Sequence, residues 1–223
     1  MTKEKQNRQF LSQGQGDRFD RWVEFFAIVI MSIATVLTAW SAYQASLWGG
    51  EESKAYFTAS NALTDASRLD NQAAIRLGTH ANLFSDYIAA IAQGDQVLSD
   101  FLYNRFPLEL KNAMDVWLDL APFQSADAPL TPFDLPEYQL PEVAEARAYR
   151  DKADVHLQLA QEADGYSDDY VLITVIFATV LFFGGISGKF QWRVIDAMGL
   201  MLGIMVLAVG IILLLTMPIQ YAT

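Results

Sequence analysis

Only a few side chains in this 223-residue chain have the types and spacing that reactions or ion binding need. His80 and His156 are the only histidines, and a cross-helix metal site would have to use both. Zinc takes three or four N, S or O ligands, and on a helix these recur at i and i+3 or i+4. The neighbours at those offsets are Arg76, Leu77, Leu83 and Phe84 for His80, and Lys152, Ala153, Leu159 and Ala160 for His156, so neither histidine has a local co-ligand. The acid pairs Glu51-Glu52 and Asp168-Asp169 sit beside apolar runs, where solvated carboxylates enforce orientation and solubility. With no cysteine, thiol catalysis, thiolate metal sites and disulfides are excluded. No nucleophile elbow, P-loop or dinucleotide fingerprint occurs. No catalytic residue, metal or cofactor is expected.

Two weaker constellations lie in apolar segments. Ser32, Thr35, Thr38 and Ser41 recur every three residues, placing small hydroxyl groups near one helix flank. Such a flank lines a pore if copies assemble, or lets helices pack closely. Asp196 is followed by Gly199-x-x-x-Gly203 on the same face, which predicts a helix-contact groove with an acid at its rim. Asp196 would then pair with Lys189 or Arg193, or join Glu24 in an ion pathway.

These residues must be positioned by membrane helices. Hydrophobic residues make up 52% of the chain and charged ones only 18%, with a mean hydropathy of +0.18, outside the range of ordinary soluble domains. Residues 25–43, 170–188 and 197–217 carry no charged side chain. Each is close to the ~20 residues a helix needs to cross a ~30 Å hydrocarbon core. Trp22 and Trp40 bracket the first run, and Trp192 and Tyr221 the third, as rings that favour the headgroup level do.

Charge then sets direction. Residues 1–21 and the turn 189–193 are basic, whereas 44–169 holds 8 basic against 21 acidic side chains, a local net charge of -13. Cations flanking spans stay cytoplasmic. The expected order is a polar, disordered cytoplasmic tail (1–21), span one (22–43), an acidic extracytoplasmic domain (44–169), span two (170–188), a basic cytoplasmic turn (189–193), span three (194–217) and an extracytoplasmic tail (218–223). A cleaved signal peptide at Ala39-Trp40-Ser41 is the rival for span one. The expected location is a bacterial inner membrane, and the acidic balance argues against nucleic acid as a partner.

The acidic segment reads as helical. Leu63, Leu77, Phe84, Ile91 and Leu98 recur at a seven-residue step with Asp70 as the break, and Ala74, Ala81, Ile88 and Leu102 form a second row. This predicts a coiled-coil-like seam. Gly78 and Gly94 are candidate kinks. A short amphipathic helix follows Pro107, then a Pro-rich loop over 122–141, and Val143, Ala146, Ala153, Leu157 and Ala160 restore the seam. The fold class expected is an all-α integral membrane protein with three transmembrane helices and a long antiparallel, coiled-coil-like insert between spans one and two. The insert is a straight stalk, or a folded-back bundle if the chain breaks at a glycine. Uncovered apolar surface makes a homo-oligomer the expected state.

The run Thr38-Ala-Trp-Ser-Ala-Tyr-Gln-Ala45, then Trp48-Gly-Gly-Glu-Glu52 and the Ala/Asn/Asp-rich stretch to Ala74, resembles a bacterial family of small three-span inner-membrane proteins with a helical extracytoplasmic insert, a domain of unknown function. The resemblance implies the same layout and carries over no functional residue. The function expected is a non-enzymatic structural or interaction protein, bound to the lipid bilayer and self-assembling or contacting an envelope partner. The alternatives are an ion channel or transporter subunit, and an extracytoplasmic sensor lacking its own output domain.

Overall fold

The computed structural model describes residues 3–125, 127–187 and 193–221, with side chains from Arg21 onward except that of Arg193. Helices follow in the order α1 (Lys3–Gln93), α2 (Gln96–Asn104), α3 (Leu108–Asp119), a 3-10 turn (Pro132–Asp134), α4 (Pro141–Ile186) and α5 (Arg193–Thr216). There is no strand among the described residues. The chain forms two compact units: a terminal unit of Met1–Ala55 with Gln158–Thr223, and a central unit of Tyr56–Leu157.

Three helices are long and apolar enough to cross a membrane: α1 from Arg21 onward, α4 and α5. The expectation of a disordered tail over 1–21 is corrected, because α1 already begins at Lys3. No proline precedes Pro107, and each helical glycine costs only about 1 kcal/mol. A helix once nucleated therefore propagates through this stretch.

In the terminal unit, Ile30 and Ala34 of α1, Ile173, Phe177 and Val180 of α4, and Leu207 of α5 form the core. Large apolar side chains such as Val36, Phe182, Met201 and Leu215 point outward. Hydrocarbon solvates that outer surface as well as a protein interior would, so close packing must hold the helices together. The sequence places the contact groove at Gly199 and Gly203, and the structure keeps Gly203 in a helix contact but not Gly199. A methyl group at Gly199 would meet open space, and one at Gly203 would lie 3.6 Å from Phe183. The tight approaches are at Gly184, 2.6 Å from Met31 Cγ, and Gly210, 2.6 Å from the Phe177 ring. The reason is register: α5 turns Gly203, Leu207 and Gly210 inward, and Gly199 lies at the edge of that face. Gly210→Ala is expected to lower the stability of the detergent-solubilised protein by about 1–3 kcal/mol, because Phe177 is fully buried and cannot retreat. Gly199→Ala should be neutral, and equal effects in a thermal or denaturant titration would contradict the packing.

In the central unit, α1 buries Ala59, Ala62, Ala66, Leu69, Ala73, His80, Tyr87 and Ala90, an alternating three- and four-residue step. Ala59 and Ala62 pack with Ala153, and Ala66 and Leu69 with Ala146. Of the expected rows, Phe84, Ile88 and Leu102 pack in the cluster around Tyr87, and Ala146, Ala153, Leu157 and Ala160 of α4 are buried or packed, but Leu63, Leu77, Ile91 and Leu98 lie off the seam. Leu63 and Leu77 remain 43% and 40% exposed, Ile91 and Leu98 also face outward, and Val143 on α4 does likewise. Side-chain size misled the assignment: alanines let two backbones approach closely, and leucines would hold them apart.

Gly78 passes through α1 without a break, whereas Gly94 ends the helix. Its φ of 72° lies in the left-handed region. Gly94 N donates to Ile91 O and Asp95 N to Ala90 O, the paired bonds of a glycine C-cap. Asp95 then caps α2 by accepting from Leu98 N at 3.0 Å. The straight-stalk expectation over 51–104 fails at this point. The chain folds back, and Phe106, Leu110, Met114 and Trp117 close over Tyr87. The 122–141 segment is not wholly extended, since Phe133 in its 3-10 turn and Tyr138 both pack on that cluster.

Candidate functional site

The densest group of titratable side chains lies where α1, α3 and α4 meet in the central unit. Arg76 of α1 stands 3.2 Å from Glu109 of α3 and 3.2 Å from Glu142 of α4, so one guanidinium joins three helices. One turn further on, His80 is buried, with Nδ1 2.9 Å from the Tyr138 hydroxyl. Burial holds the imidazole below its ordinary 6.5, reinforced by Arg76 and opposed by Glu109 and Glu142. Burial likewise pushes the Tyr138 phenol up to about 12, with Glu109 adding to the effect. The hydrogen bond between the neutral ring and the phenol ties the Pro-rich segment to α1 through Tyr138. Across the fold-back, Tyr103 donates to Asp115, and this bond raises the phenol to about 12.

The sign of the pH response follows. Because the folded-state value of His80 is depressed, the unfolded chain takes up the proton first as pH falls below 6.5. Stability of the central unit should be fully present above that pH and decline below it, until the folded-state imidazole also titrates. His80→Gln in the full-length protein is expected to flatten the loss of denaturant midpoint between about pH 7 and pH 5. An unchanged slope would show that other groups govern the acid response.

His156 does not join this cluster. It lies on the part of α4 that packs against Ala59 and Ala62, about 27 Å along α1 from His80. Among the described residues, no three His, Asp or Glu side chains gather in a way that would hold a metal ion. Glu51 pairs with Lys54 at 3.0 Å, and Asp168 and Asp169 are exposed. Beside the cluster, a cavity of about 400 Å³ is lined by Phe84, Ile88, Trp117, Phe123 and Pro129, and Trp117 Nε1 donates to Pro129 O at 2.8 Å.

The span-one hydroxyls do not converge. Ser32 donates to Ile28 O and Thr35 to Met31 O, both at 2.8 Å and on the exposed face, while Thr38 donates to Ala34 O at 2.7 Å. Each of these three satisfies its own helix, whereas Ser41 is fully buried and its Oγ has no hydrogen-bond partner. Asp196 is half-buried, and its carbonyl accepts from Ser187 Oγ at 3.3 Å. Its expected partner Lys189 and the Arg193 side chain lie outside the described residues. Glu24 is exposed on α1.

A polar cluster that the sequence reading missed closes the terminal unit. Gln44 is fully buried, donates to Gln220 O at 3.0 Å and accepts from Gln220 N at 2.8 Å. Tyr170 Oη and Trp48 Nε1 both donate to Pro218 O, at 3.0 and 3.3 Å, and Ser167 Oγ donates to Ala45 O. The segment after α5 is thus bonded to α1 and α4. The available signal was Gln44 itself, an amide on the inward face that continues from Ile30 through Ala34 and Ser41.

The site defines no catalytic class, since its titratable groups bond to one another instead of converging on a cavity. No protein-family model, curated protein or solved structure matches the chain.

Proposed function

We propose that this chain is a non-enzymatic interaction protein of a bacterial inner membrane, assembling with itself or with an envelope partner through an acidic extracytoplasmic helical insert. The resemblance to small three-span inner-membrane proteins belongs to the same reading. Contact order supports an antiparallel, coiled-coil-like pair: Ala59 and Ala62 meet Ala153, Ala66 and Leu69 meet Ala146, and Arg76 meets Glu142. Basic residues flanking the spans support an N-in, C-out orientation.

One observation carries the reading. The arginine, histidine, tyrosine and carboxylates of the central cluster are spent on holding elements together, while Leu63, Leu77 and Ile91 on α1 stay exposed. Such a surface is what a helix presents to another helix. Three of the four span-one hydroxyls bond within their own helix while Ser41 Oγ is buried without a hydrogen-bond partner, so no continuous polar line supports the channel alternative.

Reporter fusions test it. Alkaline phosphatase should be active when inserted near residue 125 or fused at the C-terminus, and green fluorescent protein should fluoresce at the N-terminus. Fluorescence from a fusion near residue 125 would overturn the orientation. Ion flux in liposomes abolished by Asp196→Asn would favour the channel.

A further inference from the structure

We propose that the aromatic-walled cavity of the central unit is a binding site for a small organic cation bearing a quaternary ammonium group. This goes beyond the assembly reading above and does not depend on the orientation of the chain in the bilayer. The cavity, about 400 Å³, is within the usual range of small-molecule sites, and Phe84, Trp117 and Phe123 line it. Trp117 is buried and packs edge-to-face with both phenylalanines, at centroid separations of 5.3 Å to Phe84 and 5.7 Å to Phe123, and the Phe123 ring is 60% exposed. Aromatic faces carry negative charge density, so a wall of rings favours a cation over a neutral body of the same shape. The rest of the lining is short of donors. Pro122 and Pro129 have no N–H, and the Trp117 indole already donates to Pro129 O at 2.8 Å, which leaves the Ser125 hydroxyl as the one other side-chain donor among the lining residues.

Charge selects the occupant. The two stretches of chain that build the cavity, 77–104 and 112–146, hold three and seven acidic side chains and not one Lys or Arg. A cleft bordered by one sign of charge focuses the field and concentrates counter-ions. Asp127, exposed between the lining residues Ser125 and Ala128, belongs to that field. Arg76, Arg105 and Lys111, which border the two stretches, are engaged elsewhere: Arg76 with Glu109 and Glu142, Arg105 over the Phe101 ring at 4.9 Å, and Lys111 over the Tyr103 ring at 5.1 Å. Rings of this unit thus already hold cations of the chain, and the cavity offers its own rings to one from solution. A quaternary ammonium fits this lining, because its methyl groups ask for no hydrogen-bond acceptor and match the apolar Ile88 and Leu130. An anion would meet like charge and almost no donor.

Choline, titrated into the full-length protein in a maltoside detergent and followed by ligand-observed NMR of its methyl signal, is the probe. Saturable binding is expected, about ten-fold tighter than that of 3,3-dimethylbutan-1-ol, which has the same shape without the charge. Phe123→Leu keeps an apolar side chain but removes the ring, and should weaken choline binding about three- to five-fold with the unfolding midpoint held. Asp127→Lys reverses a charge at an exposed position without touching the rings, and should weaken it by about the same factor. No saturable binding, equal affinity for the uncharged alcohol, or unchanged affinity in either variant would overturn the site. Vesicles identify the source of the cation: phosphatidylcholine vesicles that displace choline where phosphatidylglycerol vesicles do not assign the site to a lipid headgroup, and equal choline binding in both assigns it to a free solute.

Discussion

Replacing Trp117 with alanine is expected to destabilise the central unit by about 3–5 kcal/mol, the largest single loss available in it. The indole is 3% exposed and packs edge-on against Phe84 and Phe123 in a cluster that includes the fully buried Leu110 and Met114. Truncation removes that contact and leaves a void that α2 and α3 cannot close, because α2 is tied back through the Gly94 and Asp95 caps. It also strips the Pro129 carbonyl of its indole donor. Hydrogen exchange on the full-length protein should show protection lost between Phe84 and Tyr138 but retained in α5. Phe123→Ala, at a 60% exposed ring, should cost far less. If the two substitutions cost the same, the fold-back cluster is not the core of this unit.

The second large effect is expected at Ala153. This residue is fully buried against Ala59 and Ala62, so Ala153→Leu adds three carbons where the helices leave no room. Overpacking of this kind costs about 1–3 kcal/mol, and here the rigid partners are helix backbones, which places the expected loss at the upper end. Leu63→Ala, one position beyond the buried Ala62, should change the stability of the single chain by about 0.5 kcal/mol or less. Denaturant midpoints of the two variants decide which row is the seam. A costly Leu63→Ala with a tolerated Ala153→Leu would reverse the register described above.

That pair of variants also marks where sequence reasoning stops. The heptad period was legible, because helical geometry imposes it on any residue that recurs on one face. Which of two adjacent rows faces inward was not. Leu63, Leu77 and Ile91 look like a seam by hydrophobicity, and Ala59, Ala66 and Ala73 look like filler. The choice depends on how closely α4 approaches, and the separation between helices is not a local property. Gly199 posed the same problem: its spacing with Gly203 suggests a groove, but α5 offers Gly203 to Phe183 and Gly210 to Phe177 while Gly199 meets open space. His80 stood out in the sequence only beside His156 as a possible metal ligand, and its partner Tyr138 comes from a Pro-rich segment that carries no periodic signal.

Taken alone, the sequence determined the all-helical class and three helices able to cross a membrane, because runs of about twenty uncharged residues and the absence of proline act within a single helix. The fold-back at Gly94, the alanine seam, the Arg76 and His80 cluster and the bonding of the final segment to Gln44 were decided only by tertiary structure. Each pairs groups distant in sequence, and which groups meet is set by backbone separation and by the need to satisfy buried polar atoms, neither of which is written in local composition.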